Sequence, residues 1–187
     1  MKKFELTSEF VVNVFGNKLF RVRALVAFGS VKAGEQGGYV EKEENLSQIG
    51  DAWVSGNAQV SGNAQVSGDA WVDSNAQVSG DAWVSGNAKV SGNAKVSGDA
   101  QVSGDAQVSG DAWVYGDDDY ATVKGFGRRN RNTTFFRCRD GKVCVVCGCF
   151  FGDLEGFRAI VKRTHGDGRI AMEYLAIADL METHFKG

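Results

Sequence analysis

A strict six-residue repeat, beginning at Asp51, constrains the fold of this chain more than any other feature. Valine recurs at every sixth position from Val54 to Val114, and an alanine stands two residues before each valine. Most repeats end in Ser-Gly, and the period continues through 51–116 without insertion or deletion. A period this regular predicts a solenoid, in which successive turns of the chain stack on one another.

The alternation of side chains along a strand predicts what fills the solenoid. Alanine and valine two residues apart point to the same side of a strand. They are the only apolar residues present in every repeat, so we expect them to form the core. Glycine and Asp or Asn at the corners tolerate the backbone of sharp turns. Three repeats would then close one triangular coil, and the whole segment would make about 3.7 coils.

The pattern Gly-Asp/Asn-Ala-x-Val-Ser over 51–116 resembles the hexapeptide-repeat superfamily of left-handed parallel β-helices. Repeats of this type are found in uncharacterised phage and prophage proteins, and 19–53 resembles the segment that leads into them. The resemblance implies a mainly β fold with a left-handed coil. It implies little about function, because unrelated functions occur on one fold.

The segments on either side of the repeat divide the chain into three parts. We predict an N-terminal β cap over 1–50, the solenoid over 51–116, and a C-terminal module over 117–187. In the cap, strands over 10–15 and 18–23 would be joined by Gly16-Asn17, a sequence typical of a two-residue hairpin turn.

The C-terminal module is predicted to be a ββαα unit. Strands over 133–139 and 142–150 flank Asp140-Gly141, which indicates a hairpin. Apolar residues at helical spacing then predict one helix that begins near Asp153 and another over 169–185.

The residue before each valine is expected to point outward, and every third repeat shares one face of the coil. The first face would show Trp53, Trp71, Lys89 and Gln107. The second would show Gln59, Gln77, Lys95 and Trp113, and the third Gln65, Trp83 and Gln101. Tryptophan is enriched at binding hot spots, so we treat Trp53, Trp71, Lys89, Trp83 and Trp113 as candidate partner-binding residues. The alternative is that the indoles pack against the flanking segments or a second subunit.

A second candidate binding surface is an arginine cluster in the C-terminal module. It consists of Arg128, Arg129, Arg131, Arg137 and Arg139. The net charge is +5 over 120–187 but −8 over 51–119. The arginines could therefore bind an acidic protein or phosphates, and we expect Phe135 to share the face of Arg137 and Arg139. The alternatives are a solvated basic face or an internal contact with the acidic solenoid.

Neither a metal nor a cofactor is expected. The predicted hairpin places Cys138, Cys147 and Cys149 on one face and Cys144 on the other, an arrangement unsuited to tetrahedral zinc. We therefore expect reduced, structural thiols. The Asp and Asn rows along the solenoid supply at most one carboxylate in each repeat, which is few for a calcium site.

These observations favour a binding or scaffold protein rather than an enzyme. Acyltransferases of the resembled superfamily use a histidine base on the coil, but 51–116 contain no histidine. The resemblance suggests a phage or prophage accessory protein that engages a bacterial host protein, and inhibition of a host immune factor such as a CRISPR component is one form of that role. The main alternative is a purely structural homo-oligomer, and an acyltransferase is less favoured. Nucleic acid is a less expected partner than protein.

The chain is expected to lie in the cytoplasm. No apolar run approaches the roughly 20 residues that span a bilayer. The first residues, beginning Met1-Lys2-Lys3, lack the apolar stretch of a signal peptide.

Overall fold

The structure of this protein, a computed structural model, describes residues 2–186. Its centre is a solenoid of about four coils, in which each predicted repeat contributes one strand of two residues. These strands are β4 (Trp53–Val54), β5 (Gln59–Val60), β6 (Gln65–Val66), β7 (Trp71–Val72), β8 (Gln77–Val78), β9 (Trp83–Val84), β10 (Lys89–Val90), β11 (Lys95–Val96), β12 (Gln101–Val102), β13 (Gln107–Val108) and β14 (Trp113–Val114).

The three predicted faces are confirmed by the pairing of these strands. Strands eighteen residues apart pair in parallel, in the orders β13-β10-β7-β4 and β12-β9-β6, while β5, β8, β11 and β14 form the remaining face. From Trp53 to Lys95, the backbone amide of each outward residue donates to an alanine carbonyl one coil away, as Trp71 N does to Ala88 O at 2.9 Å. The repeated alanines and valines are buried throughout, so they form the predicted core.

Parallel pairing begins before the sequence repeat does. In β3 (Gln36–Val40), Tyr39 pairs with Gln59 and Val40 with Val60, and Leu46 bridges to Val66. Gly38 stands where later repeats have alanine, because a Cβ there would lie 2.6 Å from the Ala58 carbonyl oxygen. The offset here is twenty residues rather than eighteen, so a search of the sequence for a six-residue period finds neither β3 nor the Leu46 bridge.

An antiparallel hairpin extends the sheet of the second face. It consists of β1 (Phe4–Val12) and β2 (Lys18–Ala24), and β2 pairs with β3. The prediction of a two-residue turn at Gly16-Asn17 was wrong, because Val12 pairs with Lys18 and the loop spans 13–17. The Asn13 side chain stabilises the longer loop by accepting hydrogen bonds from the amides of Phe15 and Asn17, both at 3.0 Å.

Lys3 closes the exposed edge of the first coil. Its Nζ donates to the carbonyl oxygens of Gly50 at 3.1 Å and Ala52 at 2.9 Å, and it lies 4.8 Å from the centre of the Phe28 ring. The residue is 5 % exposed. This burial lowers the pKa of Lys3 to about 8, although the charges of Asp51 and Asp69 act in the opposite direction.

We expect Lys3 to make stability depend on pH. The unfolded chain holds the Lys3 proton up to pH 10.5 and the folded chain only up to about pH 8, so the unfolded state binds more protons between these values. The free energy of unfolding should therefore rise through this window. The test is urea unfolding of the natural protein and of Lys3→Met, each near pH 7.5 and near pH 10. Between these two pH values, the free energy of unfolding of the natural protein should rise by on the order of 2 kcal/mol relative to that of the variant. A difference that stays constant with pH would contradict the lowered pKa.

The C-terminal module is a four-stranded antiparallel sheet followed by two helices, rather than the predicted ββαα unit. The elements are β15 (Tyr120–Phe126), β16 (Arg131–Arg137), β17 (Val143–Cys147), β18 (Phe150–Asp153), α1 (Leu154–His165) and α2 (Arg169–His184). The two outer strands carry Gly125 and Gly152, and the missing side chains weaken a strand pattern.

Both predicted helices are confirmed. Asp153 caps the start of α1 by accepting from the Gly156 amide at 2.9 Å, and Gly166 ends that helix with a φ of 59°. Within residues 2–186, neither helix combines the length and apolar character needed to cross a bilayer.

The register of the β16–β17 hairpin corrects the predicted cysteine geometry. Phe136 pairs with Cys144 and Arg137 with Val143, one residue out of step with the prediction, so the loop spans 138–142. Cys144 therefore shares a face with Cys138, and the two form a disulfide with a Cα–Cα distance of 6.0 Å. The prediction of four reduced thiols was wrong for this pair, while Cys147 and Cys149 are free.

The module sits on the end of the solenoid and caps it. One face of its sheet, with Phe136, Cys138 and Val146, joins the solenoid core, and the other packs on the helices. Thr134 Oγ1 accepts from the Gln107 amide at 2.9 Å, and Asn132 Nδ2 donates to the Asp105 carbonyl at 2.8 Å. These bonds satisfy backbone groups that the last coil would otherwise leave unpaired.

Candidate functional site

Trp53 is not available to a partner. Its side chain is 0 % exposed, so the alternative in which the indole packs against a flanking segment applies to this residue. Phe28 packs edge-on against the indole at 5.4 Å, and Gly37 lies so close that a Cβ there would be 2.7 Å from the ring. The N-terminal segment therefore covers the start of the first face and makes Trp53 part of the core.

The other candidates on the coil are not gathered into one surface. Trp71 neighbours Trp53 as predicted, but it is half-buried against the core. Trp113 lies between two cations, Lys95 at 5.5 Å and Arg139 at 5.7 Å from its ring centre. Lys89 is exposed on the first face, whereas Trp83 is exposed on the third and donates through Nε1 to Ser67 Oγ at 2.9 Å.

The Asp and Asn rows of the solenoid satisfy one another. Asn63 Nδ2 donates to Asp81 Oδ1 at 3.0 Å and Asn87 Nδ2 to Asp105 Oδ1 at 3.1 Å, each across one coil. Such ladders give the carboxylates a neutral donor in place of a like charge. Among the described residues, no group of three potential ligands is placed to hold a metal ion.

The structure divides the five arginines into two sets. Arg137 forms an ion pair with Asp119 at 2.9 Å and lies 5.5 Å from the Phe185 ring centre, while Arg139 lies over Trp113. Arg137 was expected to face solvent with Phe135 beside it, but Arg137 is partly buried and Phe135 is fully buried against the helices. Arg137 thus contributes to internal packing, whereas Arg139 is exposed and contacts the Trp113 ring at the surface.

The other three arginines line a cavity of about 400 Å³ between the sheet and α1. Arg128, Arg129 and Arg131 are exposed at the turn between β15 and β16. The deeper part of the cavity is apolar and aromatic, formed by Phe150, Phe157, Ile160 and Val161. Cys147, Cys149, Thr164, His165 and Tyr174 complete the wall. We call this site the arginine cavity.

Two glycines shape the rim of the arginine cavity. Gly127, with a φ of 72°, begins the arginine-bearing turn, and a Cβ there would overlap the Tyr174 hydroxyl. Gly148, with a φ of 63°, lies under Arg131, and a Cβ there would overlap its guanidinium. The positive φ favours glycine at both positions, and the close approach of Tyr174 adds a steric reason at Gly127.

The floor of the arginine cavity is held by a network of rings. Phe157 is 2 % exposed and packs against Phe135 at 5.9 Å, Phe150 at 5.8 Å and Tyr174 at 5.7 Å between ring centres. The Tyr174 hydroxyl donates to the Phe126 carbonyl at 3.2 Å. Burial, followed by the nearby Cys147, raises the pKa of Tyr174 to about 12, so the phenol stays neutral near pH 7.

The charges on the rim have no carboxylate partner within residues 2–186, since no ion pair there involves Arg128, Arg129 or Arg131. Three cations within four residues repel one another, and an anion between them would relieve that repulsion. The site can therefore accept a ligand that is anionic at the rim and apolar at the floor. The sequence revealed the arginines, but Phe150, Phe157, His165 and Tyr174 gave only the signal of a packed helix or strand.

Comparison with known proteins bears on the solenoid rather than on this cavity. A family model described as the YdcK Beta solenoid repeat matches residues 58–73, which span β5 to β7. The match supports a β-solenoid repeat in a small part of the chain. No curated protein matches the chain.

Proposed function

We propose that this chain is a non-enzymatic binding protein that engages an acidic protein partner through the arginine cavity. The observation that carries the proposal is the trio Arg128, Arg129 and Arg131 above an apolar floor, none of which forms an ion pair within residues 2–186. Guanidinium groups bind carboxylates in pairs of parallel hydrogen bonds, and three guanidiniums without a carboxylate among the described residues can bind those of a partner.

In this proposal, the solenoid is a rigid scaffold that supports the C-terminal module. Its coils are joined by regular backbone hydrogen bonds, and the sheet of the C-terminal module continues its core. The solenoid over 51–116 carries a net charge of −5, so an acidic partner is repelled from it and attracted to the module over 117–187, where the net charge is +2.

The class of partner is proposed from the resemblance of the repeat pattern, and not from the residues of the cavity. The repeat pattern is that of hexapeptide-repeat proteins, a superfamily to which we assign the coil as part of the proposal. Its resemblance to phage and prophage proteins favours a bacterial host protein as the partner, with a host immune factor as one candidate. The proposal places binding in the bacterial cytoplasm.

Affinity capture from a bacterial lysate tests the proposal when it is done with matched variants. Reversing the rim charges with Arg128→Glu, Arg129→Glu and Arg131→Glu should reduce recovery of a stoichiometric partner at least ten-fold. Raising the salt from about 0.1 M to about 0.5 M should weaken capture by the natural protein, because ion pairs at an exposed rim are screened.

The control reverses three exposed cations of the N-terminal segment, Lys2, Lys18 and Lys32, and so changes the net charge equally. We expect this control to retain the partner. Loss of the partner from the control but not from the rim variant would move the site to another surface. Recovery of the bait alone, as a defined multimer, would instead favour a structural homo-oligomer.

A further inference from the structure

We propose that the arginine cavity takes a large apolar side chain, preferably aromatic, from an acidic peptide segment whose carboxylates bind the rim. This inference rests on the proposed function and specifies the chemistry of the partner. In this inference, the apolar floor contributes to binding as much as the arginines of the rim do.

The separation of charge and apolar surface within the site supports this occupant. The three rim arginines are exposed, whereas Phe157 and Val161 are buried and Phe150 and Ile160 are partly buried. A bare anion such as phosphate would use the rim and leave the floor in contact with water. A peptide can place an apolar side chain inward and carboxylates from its neighbouring residues outward, so it fits both parts at once.

The size of the cavity also suits a side chain. A volume of about 400 Å³ lies near the lower end of the roughly 300–1,000 Å³ range of ligand pockets. This space is large enough for one aromatic ring and its backbone. Phe150 is partly exposed and its ring is tilted at 49° to that of the buried Phe157, so an incoming ring would pack against Phe150. Aromatic pairs favour offset or edge-on contacts.

The charges around the cavity favour an acidic segment over a neutral one. Arg128, Arg129 and Arg131 line the cavity, are exposed and form no ion pair within residues 2–186, so the mouth of the cavity is positively charged. A neutral aromatic peptide would leave the rim guanidiniums without a counter-charge, so both features of the ligand are needed for full affinity.

Fluorescence anisotropy with labelled synthetic peptides tests the inference on the full chain. The probe is Glu-Glu-Trp-Glu-Glu, and the matched controls are Glu-Glu-Ala-Glu-Glu and Gln-Gln-Trp-Gln-Gln. We expect each control peptide to bind at least ten-fold more weakly than the probe. A cavity-filling variant, Ile160→Trp, should weaken the probe at least ten-fold and leave the alanine peptide unchanged, provided that circular dichroism shows the variant folded.

The outcomes separate this inference from the proposed function. Equal binding of the tryptophan and alanine peptides, with both lost in the rim charge-reversal variant, would overturn the apolar pocket but leave the acidic partner. No binding of any acidic peptide would overturn both. Displacement of the probe by adenosine monophosphate at lower concentration than by the unlabelled peptide would identify a small anion as the occupant and overturn the peptide.

Discussion

Replacing Trp53 with alanine should lower the free energy of unfolding by about 3–5 kcal/mol. The indole is fully buried between Phe28, Gly37 and the first coil, and its removal leaves a cavity that neighbouring backbone cannot fill. Because Phe28 and β3 pack against this ring, the N-terminal segment should also lose protection from hydrogen exchange. Urea unfolding measures the effect, with far-ultraviolet circular dichroism as the signal because it reports on the backbone and not on tryptophan fluorescence.

Two variants make the Trp53 result specific. Trp83, which is 47 % exposed on the third face, serves as the matched control, and Trp83→Ala should change stability by less than about 1 kcal/mol. Trp53→Phe keeps most of the packing and removes a buried Nε1 that meets no acceptor within residues 2–186, so it should cost less than about 1.5 kcal/mol. Equal effects for the two alanine variants would mean that Trp53 is exposed after all.

Replacing Gly92 with alanine should destabilise the solenoid by about 3 kcal/mol. The corner residue has a φ of 70°, and a Cβ there would lie 2.8 Å from the Gly110 nitrogen and 3.1 Å from its Cα and oxygen. The neighbouring Asn93 amide donates to the Gly110 carbonyl at 2.8 Å, so any shift that relieves the clash weakens the hydrogen bond between coils.

Gly104 is the matched control for this effect. Its φ is 66°, but a Cβ there would meet nothing within 4 Å, because no coil stacks above that corner. Gly104→Ala should therefore cost only about 1 kcal/mol of backbone strain, and the difference between the two variants measures coil stacking. Thermal unfolding of both proteins provides the comparison. A Gly92 variant that is no less stable than the Gly104 variant would contradict the stacking argument.

The outcome for the arginines shows how far sequence reasoning reaches toward the site. The cluster was recognisable from composition, since five arginines stand within twelve residues. Its division was not, because the pairing of β15 with β16 brings Asp119 beside Arg137, and the docking of the sheet on the solenoid brings Trp113 beside Arg139. The cavity walls come from β17, β18, α1 and α2, and no spacing along the chain relates those residues to the arginine turn.

The register of the β16–β17 hairpin was also beyond the reach of prediction from sequence. The location of the hairpin was predicted correctly, but a five-residue loop instead of a two-residue turn shifts the register by one. Because side chains alternate along a strand, that single step moved Cys144 to the other face and next to Cys138. Loop length at Asp140-Gly141 depends on contacts such as that of the Arg139 amide with the Asp111 carbonyl, at 2.9 Å, which belong to the tertiary structure.

The sequence by itself determined the solenoid: its core, its three faces and the stacking of residues eighteen positions apart. It could do so because the fold repeats one local solution, and each repeat contacts copies of itself at a fixed separation. Tertiary structure alone decided what happens at the ends. There, Trp53 is part of the core because a non-repeating segment folds over it. Three arginines line a cavity because other strands and the helices of the module pack beside their turn. Contacts between segments without a shared period depend on packing and shape, which the order of residues in either segment does not specify.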